Sequence, residues 1–282
     1  MHDSIAVAMS GGVDSSVAAW LLRQQGEQAV GVTMRLFVPE DLAPGQREQC
    51  HILEDLQDAQ TVAGQLGIPH HTLDLSGPFQ EQVMEPFVQA YEQGRTPNPC
   101  VTCNRTIKFG ALLEAAGQLG CGRLATGHYA RTERDTGSGR VLLKRAVHPE
   151  KDQSYVLWSL SQAQLERVCF PLGGLSKEEI RAIAEEQGLV SARRWDSQDI
   201  CFVPDGDYAA FLCHHTGRTY SPGPFCDPEG RVLGVHEGII HYTVGQRRGL
   251  KVSSNQGRLY VKELCPQENR VILSDNQALF HR

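Results

Sequence analysis

Apolar positions in the first two-thirds of the chain alternate between short continuous runs and helical spacing. Residues 5–9 form a short apolar run and predict a buried strand. Val13, Val17 and Leu21 then recur every four residues up to Gln25-Gly26, where glycine ends the helix. Residues 30–37 predict a second strand, and Leu53, Leu56, Ala59, Ala63 and Leu66 a helical stripe closed by Gly67. A third strand is expected over 70–75. Phe79, Val83, Phe87 and Tyr91 line one further helix, and Leu112, Leu113, Ala116 and Leu119 mark another, followed by a strand over 123–126. Repeated βα units of this length imply a parallel sheet with helices on both faces and ligands at the carboxyl ends of its strands.

Turn chemistry then interrupts the alternation. Asp135-Thr136-Gly137-Ser138-Gly139, between Tyr129-Ala130-Arg131 and Val141-Leu142-Leu143, predicts a hairpin. Helical patterns return over 161–167 and 176–187, where Ser176 and Glu179 match a capping box. After Pro204 and a short helix over 208–214 the texture changes to glycine and proline turns with short strands. The expected division is therefore an α/β domain over 1–204 and a small β-rich domain over 205–282.

Composition narrows the setting. With 282 residues, two packed units are the natural expectation, and 40% hydrophobic with 21% charged residues suits a globular protein with a real core. No apolar run approaches the roughly 20 residues needed to span a bilayer, so no membrane partner is expected. Met1-His2-Asp3-Ser4 lacks the basic flank of a signal peptide, which makes the cytoplasm the expected compartment. The net charge of −6 argues weakly against a nucleic-acid partner. Its cations are nonetheless clustered: Arg131, Arg134, Arg140, Lys144 and Arg145; Arg193 and Arg194; and Arg247, Arg248 and Lys251. Each cluster alone is more often a solvated face than a binding site. Nine cysteines without a signal peptide should be mostly reduced thiols, with Cys121, Cys169 and Cys213 in apolar contexts that need no function.

The first candidate for chemistry is Ser10-Gly11-Gly12-Val13-Asp14-Ser15-Ser16, between the first strand and the first helix. Two glycines let the backbone approach a ligand closely, and a helix N-terminus presents free N–H groups to an anion. Ser10, Ser15 and Ser16 add hydroxyl donors. The loop lacks the lysine of a Walker A sequence. Asp14 would repel bare phosphate but fits if Mg²⁺ lies between its carboxylate and a polyphosphate. A Gly-Ser turn with an acid near a helix N-terminus also has a purely structural explanation. The string resembles the SGGxDS signature of the ATP-pyrophosphatase (PP-loop) superfamily, which implies that the loop grips pyrophosphate while ATP is split and a substrate adenylated.

Thr96-Pro97-Asn98-Pro99-Cys100-Val101-Thr102-Cys103-Asn104-Arg105 is the second candidate. Two prolines predict a stiff loop outside helix or central strand. Cys103 would fall just before a helix starting near Ile107, where N–H groups, Arg105 and Lys108 would favour a thiolate. Half a zinc site or two plain loop thiols are the alternatives on this spacing alone. Cys201, in Asp196-Ser197-Gln198-Asp199-Ile200-Cys201-Phe202, reads by itself as a buried thiol.

Resemblance joins these pieces. Asn98-Pro99-Cys100-Val101-Thr102-Cys103-Asn104-Arg105-Thr106-Ile107-Lys108-Phe109-Gly110, Ala125-Thr126-Gly127-His128-Tyr129, Lys151-Asp152-Gln153-Ser154-Tyr155, Ser197-Gln198-Asp199-Ile200-Cys201-Phe202 and His241-Tyr242-Thr243-Val244-Gly245-Gln246-Arg247-Arg248-Gly249-Leu250 resemble, in order and across nearly the whole chain, the tRNA-specific 2-thiouridylases (MnmA/TrmU family). The resemblance implies a parallel-sheet, adenine-nucleotide alpha-hydrolase-like (PP-loop/HUP) domain followed by a small β-rich domain. It places ATP at Ala8, Met9, Ser10, Gly11, Gly12, Val13, Asp14, Ser15 and Ser16, with Met34 and Gly127 near the adenosine. Cys103 and Cys201 would be catalytic, Cys201 accepting sulfane sulfur as a persulfide and Cys103 releasing it, with closure of a disulfide between them, or attacking the activated carbon. Asn98, Pro99 and Cys100 would border the flipped target base, and His128, Lys151, Asp152 and Gln153 would touch tRNA. ATP and Mg²⁺ are the implied cofactors. The implied partners are tRNA, through its anticodon region, and a sulfur-donor protein, either a cysteine desulfurase or a relay protein.

Two departures from the family pattern matter. Cys100 stands where many relatives carry an aspartate, so Cys100, Cys103 and Cys201 could converge as three thiols able to hold an iron–sulfur cluster of the 4Fe-4S type. The chain also stops at Phe280-His281-Arg282, where longer relatives continue into a C-terminal β-barrel, and that barrel is expected to be absent. The rival within enzymes is another PP-loop ATPase of the amide-forming synthetase type. Outside enzymes, it is a tRNA-binding or sulfur-carrier subunit that keeps a nucleotide loop.

Overall fold

A computed structural model describes residues 4–194, 200–252 and 257–275. The chain divides into two compact units: Met1–Pro39, Gln49–Val83 and Cys100–Cys201 form one, and Glu40–Glu48, Met84–Pro99 and Phe202–Arg282 the other.

The first unit is built on a five-stranded parallel sheet of β1 (Ser4–Ala8), β2 (Ala29–Arg35), β3 (His70–Asp74), β4 (Cys121–Thr126) and a two-residue edge strand, Val168–Cys169. A separate antiparallel hairpin, β5 (Ala130–Arg134) and β6 (Val141–Arg145), precedes that edge strand, which is therefore β7. The order is β3-β2-β1-β4-β7. β1 is central and reads as a near-continuous apolar run because both of its faces are covered. Ile5, Val7 and Met9 enter one core cluster with Val13, Val17 and Ala18, with Ala59, Val62, Ala63 and Leu66, and with Ile180 and Ala184. These residues belong to the helices Val13–Gln24, Ile52–Leu66 and Lys177–Glu186, whose apolar stripes cannot be buried without the sheet. Ser176 caps the last of these as expected: its hydroxyl accepts from the Glu179 N–H, and the Glu179 carboxylate accepts from the Ser176 N–H.

The succession β1, β2, β3 runs outward on one side of β1, whereas β4 pairs on the other, so strand order reverses between β1 and β4. Ala8 is in register with Val32 on one side and with Thr126 on the other, which aligns the carboxyl ends at this switch point. Loops leaving adjacent strands in opposite directions open a crevice there.

Two helices differ from expectation, each at a proline. The stripe Phe79, Val83, Phe87, Tyr91 is not one helix. Ser76–Phe79 passes through a π-turn, Gln80–Met84, before Glu85–Glu92. Pro86 has no N–H to give the carbonyl one turn back and its ring crowds that carbonyl, so the preceding turn widens. Val83 consequently belongs to the first unit and Phe87 to the second. Conversely, Pro99 opens a helix instead of preventing one. Pro99–Cys103 continues through a π segment, Asn104–Ala111, into Leu112–Gln118. Proline at a first helical position loses nothing, because that N–H has no intrahelical partner. The carbonyls of Arg105 and Phe109 in the widened stretch both accept from Gln164 Nε2, at 3.1 and 2.7 Å.

The second unit holds a four-stranded sheet of β8 (Gly223–Cys226), β9 (Val232–His236), β10 (Tyr260–Cys265) and β11 (Arg270–Ser274), ordered β10-β11-β8-β9. Its aromatic core centres on Phe87, whose ring meets Phe202 edge-on at 5.2 Å and packs near Tyr91, Tyr208 and Phe211. Glu40–Glu48 joins this unit partly through Gln46, which is buried and donates to Asp205 Oδ1 at 2.7 Å and to the Asp207 carbonyl at 3.0 Å.

Candidate active site

β1 ends at Ala8, and the Met9 N–H still donates to the Val32 carbonyl at 2.8 Å, so the glycine loop leaves a fixed strand end. Gly11 sits at φ +76°, and a Cβ there would lie 2.4 Å from the Asp55 carbonyl oxygen; both facts demand glycine. Gly12 is the N-cap of the Val13–Gln24 helix and supplies no side-chain acceptor, so the first-turn N–H groups have no side-chain cap. Gly127, just past β4, closes on the same turn: a Cβ there would stand 2.9 Å from the Ser15 nitrogen. Met34 lies half-buried on β2, in register with Leu73 of β3.

Not every expected hydroxyl is offered outward. Ser15 and Ser16 are buried and donate to the Gly12 carbonyl at 3.0 and 2.9 Å, and Ser15 Oγ also accepts from the Ser10 N–H. They hold the loop's shape, while Ser10 stays exposed. Asp14 is also engaged. Its Oδ1 accepts from Tyr129 Oη and from Lys177 Nζ, both at 2.7 Å, and the Lys177 side chain is only 8% exposed. A lysine absent from the loop's own sequence is thus delivered to it by another helix.

The thiols lie on the Pro99-initiated helix and at the end of the first unit. Cys100 is exposed and Cys103 buried within the helix, not at a free N-terminus. Burial pushes the Cys103 thiol up, Lys108 opposes this, and Cys100 adds to the rise. The expectation of a thiolate favoured by helix N–H groups is therefore corrected for the ligand-free chain: desolvation outweighs the nearby cation. Cys201 is pushed up to about 12, first by burial of its sulfur and then by the thiols of Cys103 and Cys100, with Lys108 again opposing. As a residue Cys201 is exposed, and the two neighbouring thiols hold its own thiol up. Cys100, Cys103, Cys201 and Lys108 hence share one electrostatic neighbourhood. Of the Ser197–Phe202 string, residues 197–199 lie outside the described residues.

The remaining expected residues are placed unevenly. Asn98 is exposed and Pro99 buried. His128 is buried, its Nδ1 sharing a hydrogen bond with Thr126 Oγ1 at 2.7 Å and its ring between Phe109 and Phe170. Burial, aided by Lys108, holds its pKa well below the usual range, so it is neutral and offers little surface to RNA. Asp152 accepts from the Ala146 N–H and the Ser154 hydroxyl, and Gln153 exchanges hydrogen bonds with the backbone of Tyr129 through its own N–H and its Oε1. The Asp152 carboxylate and the Gln153 side-chain oxygen are thus engaged within the protein. Lys151 beside them is half-exposed. Arg194 of the second basic cluster is bound to Asp58 at 2.7 Å and to Glu54 at 3.5 Å, and it braces the helix that presses on Gly11. Arg247, Leu250, Lys251 and Arg258 line a cleft of about 500 Å³ in the second unit, which contains none of these thiols.

The tRNA methyl transferase HUP domain family matches residues 3–205, and the tRNA methyl transferase PRC-barrel domain family matches residues 209–275. The tRNA-specific 2-thiouridylase MnmA 2 of Thermoanaerobacter sp. (strain X514) is 50% identical over 281 residues, covering 99% of this chain and 77% of its own. The tRNA-specific 2-thiouridylase MnmA of Clostridioides difficile (strain 630) is 43% identical over 282 residues, 100% of this chain and 78% of its own. The chain belongs to the tRNA-specific 2-thiouridylase family. A 4-thiouridine synthetase solved with RNA and ATP is 21% identical over 72% of this chain and 45% of that one, with a TM-score of 0.42, too distant a likeness to inform the fold.

For a 2-thiouridylase-family chain the notable additions are Tyr129 and Lys177, which hold Asp14 and which sequence reasoning missed. Lys177 had one available signal: a cation at the first position of a capped helix opposes the helix dipole, so its placement calls for another partner. Mg²⁺ fits the loop only in part, since Asp14 Oδ1 is already committed; the other carboxylate oxygen is the one that would meet a metal brought in with nucleotide. Among the described residues no group of three His, Cys, Asp or Glu side chains is arranged to hold a metal ion, Cys100, Cys103 and Cys201 included. Also among the described residues, no helix is long and apolar enough to cross a membrane.

Proposed function

We propose that this chain thiolates a tRNA uridine at its 2-position, with ATP as the activating substrate and a cysteine-bound sulfur as the donor. The observation that carries this reading is the shared neighbourhood of Cys100, Cys103 and Cys201, drawn from two remote segments, beside Lys108. An amide-forming synthetase or a methyl transferase has no use for such a group of thiols.

The glycine loop would hold the ATP phosphates on the uncapped N–H groups of the Val13–Gln24 helix, with Lys177 offsetting the repulsion of the Asp14 carboxylate. Bound Mg²⁺ would polarise the phosphates, meeting Asp14's second oxygen. The uridine 2-oxygen attacks the α-phosphate, pyrophosphate leaves, and the oxygen becomes part of a good leaving group, AMP. A persulfide on Cys201, loaded by a sulfur-donor protein, then supplies the nucleophile. Its terminal sulfur bonds to C2 as AMP departs, and the Cys103 thiolate attacks the Cys201 sulfur. The sulfur–sulfur bond breaks, 2-thiouridine leaves, and a Cys103–Cys201 disulfide remains, to be reduced by an external thiol. Because each neighbouring thiol disfavours ionisation of the next, one thiolate forms at a time, and Lys108 is the cation that stabilises it. Residues 1–204 would be the catalytic domain and 205–282 a small β-rich domain, and the target uridine would lie in the anticodon region.

The test is a reaction of the full chain with ATP, Mg²⁺, unmodified tRNA and a sulfur-donating desulfurase, followed by mass analysis of nucleosides. A uridine gaining the mass difference between sulfur and oxygen is expected. Cys201→Ser should abolish that product while keeping tRNA-dependent release of pyrophosphate; full product from Cys201→Ser would reject the reading.

A further inference from the structure

Between the β5–β6 hairpin and Leu160 the chain makes two short 3-10 turns, Pro149–Lys151 and Ser154–Val156. One side of this segment is bound into the protein: Val156, Leu157 and Leu160 are buried, and Asp152 and Gln153 are latched to backbone groups of Ala146 and Tyr129. The other side presents Tyr155 at 64% and Trp158 at 72% exposure. Fixing the backbone this firmly while leaving two large aromatic rings in water forfeits their burial energy, which calls for a partner that covers them.

Location and charge narrow the partner. Asn104, the residue after Cys103, donates from Nδ2 to the Val156 carbonyl at 3.4 Å, so the aromatic segment abuts the reactive helix. Ser154–Val156 packs on β6, which carries Lys144 and Arg145. Residues 131–152 hold six basic side chains against four acidic ones in a chain of net charge −6. Aromatic rings among cations, next to a base-modifying centre, match single-stranded RNA, whose every base has a stacking face.

We propose that Tyr155 and Trp158 form a stacking platform for unpaired bases of the RNA substrate next to the target uridine. The proposal rests on the thiouridylase reading for its substrate, and Asp152 and Gln153 act in it as the latch that holds the platform.

The test compares Tyr155→Ala, Trp158→Ala and Trp158→Phe with the unaltered full chain, measuring tRNA binding across a salt series. Each alanine variant should weaken binding by roughly 5- to 150-fold, the spread reported for loss of one base–aromatic stack. Trp158→Phe should recover most of the loss. The salt slope should be unchanged, because no phosphate contact is removed. Both rings are exposed, so unfolding midpoints should match the parent. Binding within twofold of the parent for both alanine variants overturns the proposal, as does a reduced salt slope. Unchanged tRNA binding with impaired persulfide loading of Cys201 would instead assign the patch to the sulfur-donor protein. If the parent chain binds tRNA through the platform but makes no thiouridine, the thiouridylase reading fails and the platform survives.

Discussion

Asp14 and Lys177 form the most heavily constrained ion pair of the site, and breaking it from each side should give unequal losses. The pair is 2.7 Å apart, with the Lys177 side chain 8% exposed and that of Asp14 31% exposed. At an effective dielectric of about 20 the gross attraction is about 6 kcal/mol, most of it cancelled by desolvation. Asp14→Asn takes away the carboxylate that the buried Lys177 ammonium meets at 2.7 Å. Removing one partner of a fully buried pair costs about 3–5 kcal/mol; partial exposure of Asp14 reduces this to about 2–3 kcal/mol. Lys177→Met should cost only about 1 kcal/mol, since Asp14 keeps Tyr129 and can be hydrated. The double variant should resemble Lys177→Met, giving a coupling of about 2–3 kcal/mol. Thermal unfolding of the ligand-free chain followed by circular dichroism reads this directly: Asp14→Asn should lower the midpoint by about 4–12 °C. Losses additive to within about 0.5 kcal/mol, or Lys177→Met costing more than Asp14→Asn, would refute the reasoning.

Other consequences follow from the same geometry. Gly11→Ala puts a Cβ 2.4 Å from the Asp55 carbonyl at φ +76° and should cost about 2–4 kcal/mol from strain and overpacking together, with loss of ATP-dependent pyrophosphate release in the same preparation. Iodoacetamide labelling of Cys201, followed by mass spectrometry, should stay slow through pH 9 because its thiol is pushed up to about 12; a midpoint near that of an ordinary thiol would contradict this. The fold favours the protonated thiols of Cys103 and Cys201, so their contribution to stability is full below about pH 8.5, the ordinary thiol pKa. It is lost as pH rises through their raised values. Lys108→Met removes the cation that opposes these rises, and should shift the pH–rate profile of thiolation to higher pH without altering ATP binding. Ser176→Ala breaks a reciprocal cap and should cost about 1 kcal/mol in urea unfolding.

Local chemistry made parts of this protein legible from its residues alone. The glycine loop is a strand, a tight turn and a helix start within one short segment, and Ser176 announces its helix by a cap only four residues long. Alternating strand and helix patterns likewise implied the parallel sheet, because one face of each element had to be buried. What depends on long-range packing was not written locally. Pro86 divides an apparently continuous apolar stripe between two units, and Pro99 starts a helix where proline was read as forbidding one. His128 and Gln153 read in a string as tRNA contacts, and only the fold shows the internal hydrogen bond that each also makes. The state of the thiols, raised by burial and by one another, exists only once Cys103 and Cys201 are brought together. So does Lys177's role, since a lysine has no charge partner until tertiary structure supplies Asp14. Sequence determines hydrogen bonds and periodicities a few residues apart; desolvation and Coulomb energy depend on the surrounding protein, which the folded chain alone provides.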